Sequence, residues 1–376
     1  MTLLTDDQRQ LHDMAKSFLA EEGTIKQQLR HWRDIGCKDG FGHGLWKQFA
    51  ELGLTGIAIP EDKGGLGLGA TEAALVLEEV GRNLTPSPFL TTAVAAVRAL
   101  EGTAQGDRWF PGILSGETVA ALAVDEGKHH RPDAVATTAT RSGNGFTLNG
   151  GKQFVVHGAS ADMILVAART GGSAGEREGL TLFAVERDAK GMEVENVALT
   201  DHSKAARLTL TDVAVDADAV VGEVDAGWAP LSRALNAGRA GSAAELVGVA
   251  AGAADMTTDY LKQRKQFGKL IGEFQALQHR AAHLFSEIQI ARAAAYKAAE
   301  LLDAGSDRAE LMVHVAKAKA GRAAALAVQE GVQMHGGIGM TDEHDIGFYI
   351  KRQAVLDRLF GDWRFHAGEV ARLAGY

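Results

Sequence analysis

The chain has a single cysteine, Cys37, among 376 residues. That excludes an internal disulfide and any metal cluster held by cysteines alone. It has no charge-free run of about 18 apolar residues, so no membrane span is expected. Positive charge is in short supply: 39 Lys+Arg stand against 48 Asp+Glu, a formal net charge of −9. A nucleic-acid binder draws its affinity from clustered cations, and this balance argues against one. The N-terminal stretch MTLLTDDQRQLHD lacks a basic segment followed by an apolar core, so no secretory signal is expected and the protein reads as cytoplasmic. Neither a Gly-x-Ser-x-Gly elbow nor a catalytic-cysteine context occurs, which sets nucleophilic hydrolysis aside. With 46% hydrophobic and 23% charged residues the composition is ordinary and globular. The length points to two or three domains.

Periodicity divides the chain into residues 1–118, 119–225 and 226–376. The first part reads as helices. Thr5 to Gln8 fits a capping box with Leu11, Ala15, Phe18 and Leu19 behind it, and further helices are expected over 44–52, 71–83 and 91–100. Residues 56–70, GIAIPEDKGGLGLGA, carry a GxGxG. Pro60 and the charged Glu61-Asp62-Lys63 separate those glycines from any strand, so a dinucleotide fingerprint is not supported and a glycine-rich loop is. From about Val119 the pattern alternates. Strands are expected over 119–124, 146–148, 153–156, 163–167, 180–185 and 206–210, joined by turn residues, which suggests an antiparallel barrel or sandwich. The GGK at 150–152 lacks the spacing of a phosphate loop. From Trp228 onward the chain is helical and alanine-rich. Leu284, Ile288, Ala291, Ala295, Ala298 and Leu302 mark one stripe; Leu311, Val315, Ala318 and Arg322 begin the faces of the next helix. His279 and His283 lie four apart with Arg-Ala-Ala between them and no acid to act as base. They read as helix-surface histidines rather than zinc ligands.

Two stretches carry the functional reading. Residues 264–275, RKQFGKLIGEFQ, gather Arg264, Lys265 and Lys269 around Phe267, which reads as buried, followed by Gly268, Gly272, Phe274 and Gln275. This is a link between two long helices, and its fixed cations suit either a polyanion or a plain basic turn. Residues 333–339 read QMHGGIG. Together RKQFG…FQ and QxxGGxG resemble the acyl-CoA dehydrogenase family of flavoproteins, and the order helices, sheet, helices matches that family over the whole chain. The resemblance implies a mainly α fold with a central β domain, FAD held between subunits, and contacts to it from Arg264, Phe267, Gln275, Gln333, Gly336 and Gly337. Phe154, in the strand after GxK, stands where the family carries an aromatic beside the flavin. Arg239 stands where the family lines the acyl-CoA side.

The resemblance also shows what is missing. The reaction needs a carboxylate to take the substrate's α-proton while the flavin accepts hydride from the β-carbon. One family place for it immediately precedes the matched arginine, and here it is Gly238. The other lies about two dozen residues after QxxGGxG, and by register it is Phe360. Neither accepts a proton. Weak substitutes are Glu245, seven residues past Gly238 and roughly 10 Å along the helix, and Asp362. The usual TEPxAGSD segment is replaced by VDEGKHHRPD, and Phe154-Val155-Val156 lacks the hydroxyl found after the family's aromatic. Similar losses occur in members that pair with a base-bearing second subunit. The expectation is therefore an FAD-dependent acyl-CoA dehydrogenase, or a subunit of one, in fatty-acid, steroid-side-chain or related breakdown. It would take an acyl-CoA substrate and pass electrons to an electron-transfer acceptor. Its assembly would be a homo-oligomer or a hetero-oligomer with a second dehydrogenase-like chain. The rivals are a non-catalytic partner that completes a homologous subunit's flavin site, and another flavoenzyme on this fold.

Overall fold

The computed structural model describes residues 4–376. The first residues of the stretch read for a secretory signal, 1–3, lie outside the described residues. Eleven α-helices are described. They are α1 (Asp6–Glu21), α2 (His31–Asp34), α3 (His43–Glu51), α4 (Ala70–Asn83), α5 (Val97–Leu100), α6 (Ala104–Leu114), α7 (Trp228–Gln263), α8 (Gln275–Asp303), α9 (Ala309–His335), α10 (Ile346–Arg358) and α11 (Trp363–Leu373). Nine strands accompany them: β1 (Ala120–Ala123), β2 (Thr138–Ser142), β3 (Gly145–Val156), β4 (Met163–Arg169), β5 (Leu180–Glu186), β6 (Met192–Ala198), β7 (Lys204–Asp216), β8 (Lys265–Gln266) and β9 (Lys269–Leu270). The architecture is thus an N-terminal helical region, a central β domain and a C-terminal helical domain. Contacts group the chain into two compact units that interleave in sequence, one ending with 239–376 and including 70–86 and the N-terminal residues to 31, the other holding 32–69 and 87–238.

In the first unit α1 begins at the expected capping box, Thr5 Oγ1 accepting from the Gln8 amide while the Gln8 side chain accepts from the Thr5 amide. Helix α1 packs on α4, α4 on α8, and α9 against α8, α10 and α11. Helices α4 and α7 approach so closely that a Cβ on Gly81 would strike the Glu245 carbonyl, and one on Gly248 the Glu78 carbonyl. Only glycine permits that crossing. The stripe expected on α8 is buried from Leu284 to Ala298. The face expected on α9 is corrected. Val313, His314, Ala316, Lys317 and Ala320 are buried, whereas Arg322 is exposed and Leu311, Val315 and Ala318 are half-buried. Two polar residues occupy the inward positions, so a rule that turns polar residues outward selects the wrong side.

In the second unit the sheet runs β1-β4-β2-β3-β7-β6, with β5 also on β4. The expected antiparallel sheet is corrected to a mixed one, because β1 and β2 both pair parallel to β4. Two expected strands prove to be one, β3, broken by bulges between Leu148 and Gly150 and between Lys152 and Val155. Strands β2 and β6 were not anticipated. Both are largely solvent-facing, so neither has an apolar period to announce it. Residues 56–70 form short turns closed by backbone bonds, Leu66 to Gly56, Gly67 to Ile59 and Leu68 to Ile57, which accords with a loop.

Candidate functional site

Helix α7 ends at Gln263 and the chain turns back at once through β8 and β9. The two residues between these strands, Phe267 and Gly268, have φ of +53° and +80°. Left-handed values at both central residues are those of a type I′ hairpin, where Asn-Gly is favoured and a phenylalanine costs about 1–2 kcal/mol. The expectation that Phe267 is buried is corrected: it is 92% exposed. Its ring meets the edge of Phe274, at 6.2 Å, with Lys269 Nζ lying 4.2 Å over Phe274. Arg264 is exposed, and its guanidinium has no hydrogen bond or ion pair among the described residues. Gln275 opens α8 in the open, and no side chain caps that helix at Phe274. A strained aromatic, an unengaged guanidinium and bare helix amides together suit an anionic, planar-ringed ligand from outside the chain.

The second motif ends α9. Gln333 is exposed, and Gly336 takes φ +67°, ψ −142°, a conformation essentially reserved for glycine. Nothing lies within 4 Å of the place a Cβ would occupy on Gly336, Gly337 or Gly268. Backbone is bare there, open to close approach by another body. The structure brings the two motifs together through aromatic rings. Tyr260, whose carbonyl accepts from the Arg264 amide at 2.9 Å, lies 4.5 Å from His335, the residue before Gly336. His335 donates from Nδ1 to the Gly331 carbonyl at 2.7 Å, and burial holds its pKa below the ordinary value.

Within the sheet, Phe154 is half-buried at φ +53°, at the bulge where Lys152 pairs with Leu208 and Val155 with Ala206. The extra residue turns its ring out of the strand's alternation. Lys152 is fully buried. Its ammonium donates to Glu126 at 2.7 Å and to the Val124 carbonyl at 3.1 Å. Glu126 also accepts the Ala136 and Thr137 amides. These partners hold its carboxyl below the ordinary range against the opposing, larger effect of burial. The substituted loop VDEGKHHRPD is therefore organised: Asp125 accepts from His130 Nδ1 at 2.9 Å and from the Arg131 amide. Sequence reading passed over the Glu126–Lys152 pair, because Lys152 stands between Gly151 and Gln153 in a strand with no apolar run to mark it as buried.

The two places for a base lie where α7 and the α10–α11 connection run. Gly238 is buried on α7, and Arg239 beside it is 6% exposed, donating from Nε to the Phe360 carbonyl at 3.4 Å. Phe360 is 7% exposed with φ +61°. The candidate substitutes are both engaged. Glu245, 1% exposed, accepts from Arg352 Nε at 2.9 Å and from Nη2. Asp362 caps α11 by accepting the Phe365 amide at 2.9 Å. Around them lie buried groups that the sequence reading did not single out: Lys317, Asp357, and a His314–His366 pair joined Nδ1 to Nδ1 at 2.7 Å. His279 and His283 are exposed on α8.

Three family models match in succession: the acyl-CoA dehydrogenase N-terminal domain over residues 5–117, the middle domain over 121–213 and the C-terminal domain over 225–372. The acyl-CoA dehydrogenase FadE12 of Mycobacterium tuberculosis is 31% identical over 357 residues, covering 91% of this chain and 89% of that protein. Among solved structures, a variant of the Tcur3481–Tcur3483 steroid ACAD superposes with a TM-score of 0.88 at 30% identity, covering 98% of each chain. The ChsE4–ChsE5 complex from Mycobacterium tuberculosis also gives 0.88, at 25% identity and 100% and 99% coverage. The chain belongs to the acyl-CoA dehydrogenase family.

Proposed function

We propose that this chain serves the FAD-dependent α,β-dehydrogenation of an acyl-CoA thioester as one subunit of an oligomer. The observation that carries the reading is the joined, outward-facing pair of motifs. Arg264 stands unengaged on a strained hairpin, next to glycine backbone with nothing over it. Those features fit a dinucleotide: a guanidinium fork for the pyrophosphate, an exposed ring for stacking, and bare backbone for close approach. Arg264, Phe267, Gln275, Gln333, Gly336 and Gly337 would hold FAD, with Phe154 a further contact from the sheet. When bound, FAD supplies the acceptor for the hydride that leaves the β-carbon.

The chain's own residues divide the remaining work unevenly. Arg239 offers a permanent charge near Phe360 for the polar end of the acyl-CoA. Phe360 presents an apolar wall where an acid would otherwise take the α-proton. Glu245 is engaged by Arg352 and Asp362 by the α11 cap, so neither is poised as a base. We therefore assign the proton acceptor to a second, homologous subunit. Two structures to which this chain is similar are named as pairs, Tcur3481–Tcur3483 and ChsE4–ChsE5, which favours that arrangement. The electron acceptor would be a separate electron-transfer protein.

The purified protein should show flavin absorbance. Anaerobic bleaching by a saturated acyl-CoA should be slow for the chain alone and fast after co-expression with a dehydrogenase-like neighbour that retains its glutamate. An equally fast bleach from the lone homo-oligomer would remove the partner, and a colourless protein from both preparations would remove the cofactor.

A further inference from the structure

Lys317 is among the largest fully buried side chains of the protein, at 0% exposure, and the reaction described above makes no use of it. Its ammonium donates to the Leu356 carbonyl at 2.8 Å and the Asp357 carbonyl at 3.0 Å. Both belong to the last turn of α10, whose final carbonyls lack helical partners. Beyond that turn the chain reverses tightly. The Gly361 amide donates to the Arg358 carbonyl at 3.1 Å, Leu359 sits at φ −64°, ψ 124°, and Phe360 at φ +61°. These are the marks of a type II turn, whose third position favours glycine because φ there is positive. A phenylalanine in that place is strained by about 1–3 kcal/mol and persists only where its surroundings over-determine it.

The surroundings do so from both sides. Lys317 on α9 fixes the chain just before the turn, and Arg239 on α7 holds the Phe360 carbonyl within it. Asp362 closes the far side by capping α11. We propose that Lys317 is a positioning residue of the acyl-CoA site, clamping the end of α10 so that the strained turn at 358–361 keeps residue 360 facing the bound thioester. The inference rests on the acyl-CoA reading of Arg239 and Phe360.

The charged groups around the ammonium are Asp357 on α10, Glu245 and Arg239 on α7 and Asp362 in the turn. Burial pushes the Lys317 pKa down to about 8 and the Asp357 carboxyl up, and Asp357 Oδ1 has no hydrogen-bond partner. The structure thus buries two ionisable groups at this one helix end, Lys317 on backbone carbonyls and Asp357 beside it, as expected if the turn's geometry outweighs the desolvation.

The test uses the flavin-loaded oligomer and compares wild type with Lys317→Met, Lys317→Gln and Lys317→Arg. Three quantities are read: hydrogen exchange of peptides spanning 356–366, FAD content, and the Kd of a saturated acyl-CoA. Removing both donors in Lys317→Met should speed exchange in that segment and weaken acyl-CoA binding, each by about tenfold or more, while FAD content and exchange in β3 stay as in wild type. Lys317→Arg should restore much of both effects, which a lysine that merely fills space would not require. If Lys317→Met does not fold, Lys317→Gln keeps an amide NH2 on a shorter side chain and should show the same two changes at smaller size. Unchanged exchange at 356–366 overturns the clamp. A looser turn with unaltered acyl-CoA affinity overturns the positioning role. Failure of wild type itself to bind acyl-CoA overturns the reading of the site, whereas a turn loosened in Lys317→Met then still supports the clamp.

Discussion

Phe267 and Phe360 are both phenylalanines held at positive φ, +53° and +61°, yet the first is 92% exposed and the second 7%. The hairpin that carries Phe267 is fixed by two short strands and little else. The turn that carries Phe360 is bolted to α9, α7 and α11 by side-chain bonds to backbone. Strain at the outer site is not offset by burial within the chain, as the proposed flavin contact would require. Strain at the inner site is offset by burial on the spot. On the proposed reading the same local penalty marks two different things, a surface for contact and a seat held still.

The comparison can be broken most forcefully at the inner site. Gly238→Glu places a carboxylate on α7 beside Arg239. If proton abstraction is what this subunit lacks, acyl-CoA turnover by the homo-oligomer should rise by about 10²–10⁴-fold, measured with an artificial electron acceptor. No rise means that the missing acid is not the limit. Phe360→Gly relieves the turn but empties a buried place, so the net should be a loss on the order of 3 kcal/mol in a denaturant titration. A neutral or stabilising outcome would show that strain outweighs burial there.

At the outer site Arg264→Ala should weaken FAD by roughly 10²-fold, from two lost charge-assisted bonds, with melting of the flavin-free protein unchanged. Retention of FAD at wild-type affinity would contradict the assignment. Lys317 adds a pH signature at the inner site, and buried Lys152 in β3, whose pKa burial also lowers, adds one of the same sign at the sheet. The folded pKa of Lys317 lies near 8 against an ordinary 10.5, so between those values the unfolded chain keeps a proton that the folded chain has released. Lys317's own contribution to stability then rises with pH across that window, by on the order of 1–3 kcal/mol, and the difference between wild type and Lys317→Met should grow in wild type's favour by that amount from pH 8 to 10.5. The smallest effect is expected for Phe267→Gly, about 1 kcal/mol of added stability without flavin, together with weaker flavin binding. Opposite signs on the two measurements are what an outward-facing strained residue requires.

How far the sequence carries depends on which of these regions is asked about. The outer motifs were legible because their information is local. RKQFG and QMHGGIG place cations, glycines and an aromatic at fixed spacing, and the structure brings them together through Tyr260 and His335. Phe267 was misread because an aromatic among cations looks like core until the hairpin's dihedrals are known. The inner site was legible only as an absence, at Gly238 and Phe360. Lys317, His314 and Asp357 are polar residues facing inward, and no periodicity rule reports a polar residue that a distant helix end has satisfied. In the sheet, β2 and β6 escaped for the converse reason, being strands with too little to bury.

The clamp on residues 358–361 also bears on how such a chain can change over generations. Lys317 and Arg239 grip carbonyl oxygens, which every amino acid possesses, so these three bonds do not depend on what side chain stands at position 360. An acid there can be exchanged for an aromatic without unmaking the seat. On the proposed reading, a duplicated subunit would accordingly drift away from chemistry while remaining a sound half of an assembly, its scaffold insulated from the loss of its reagent.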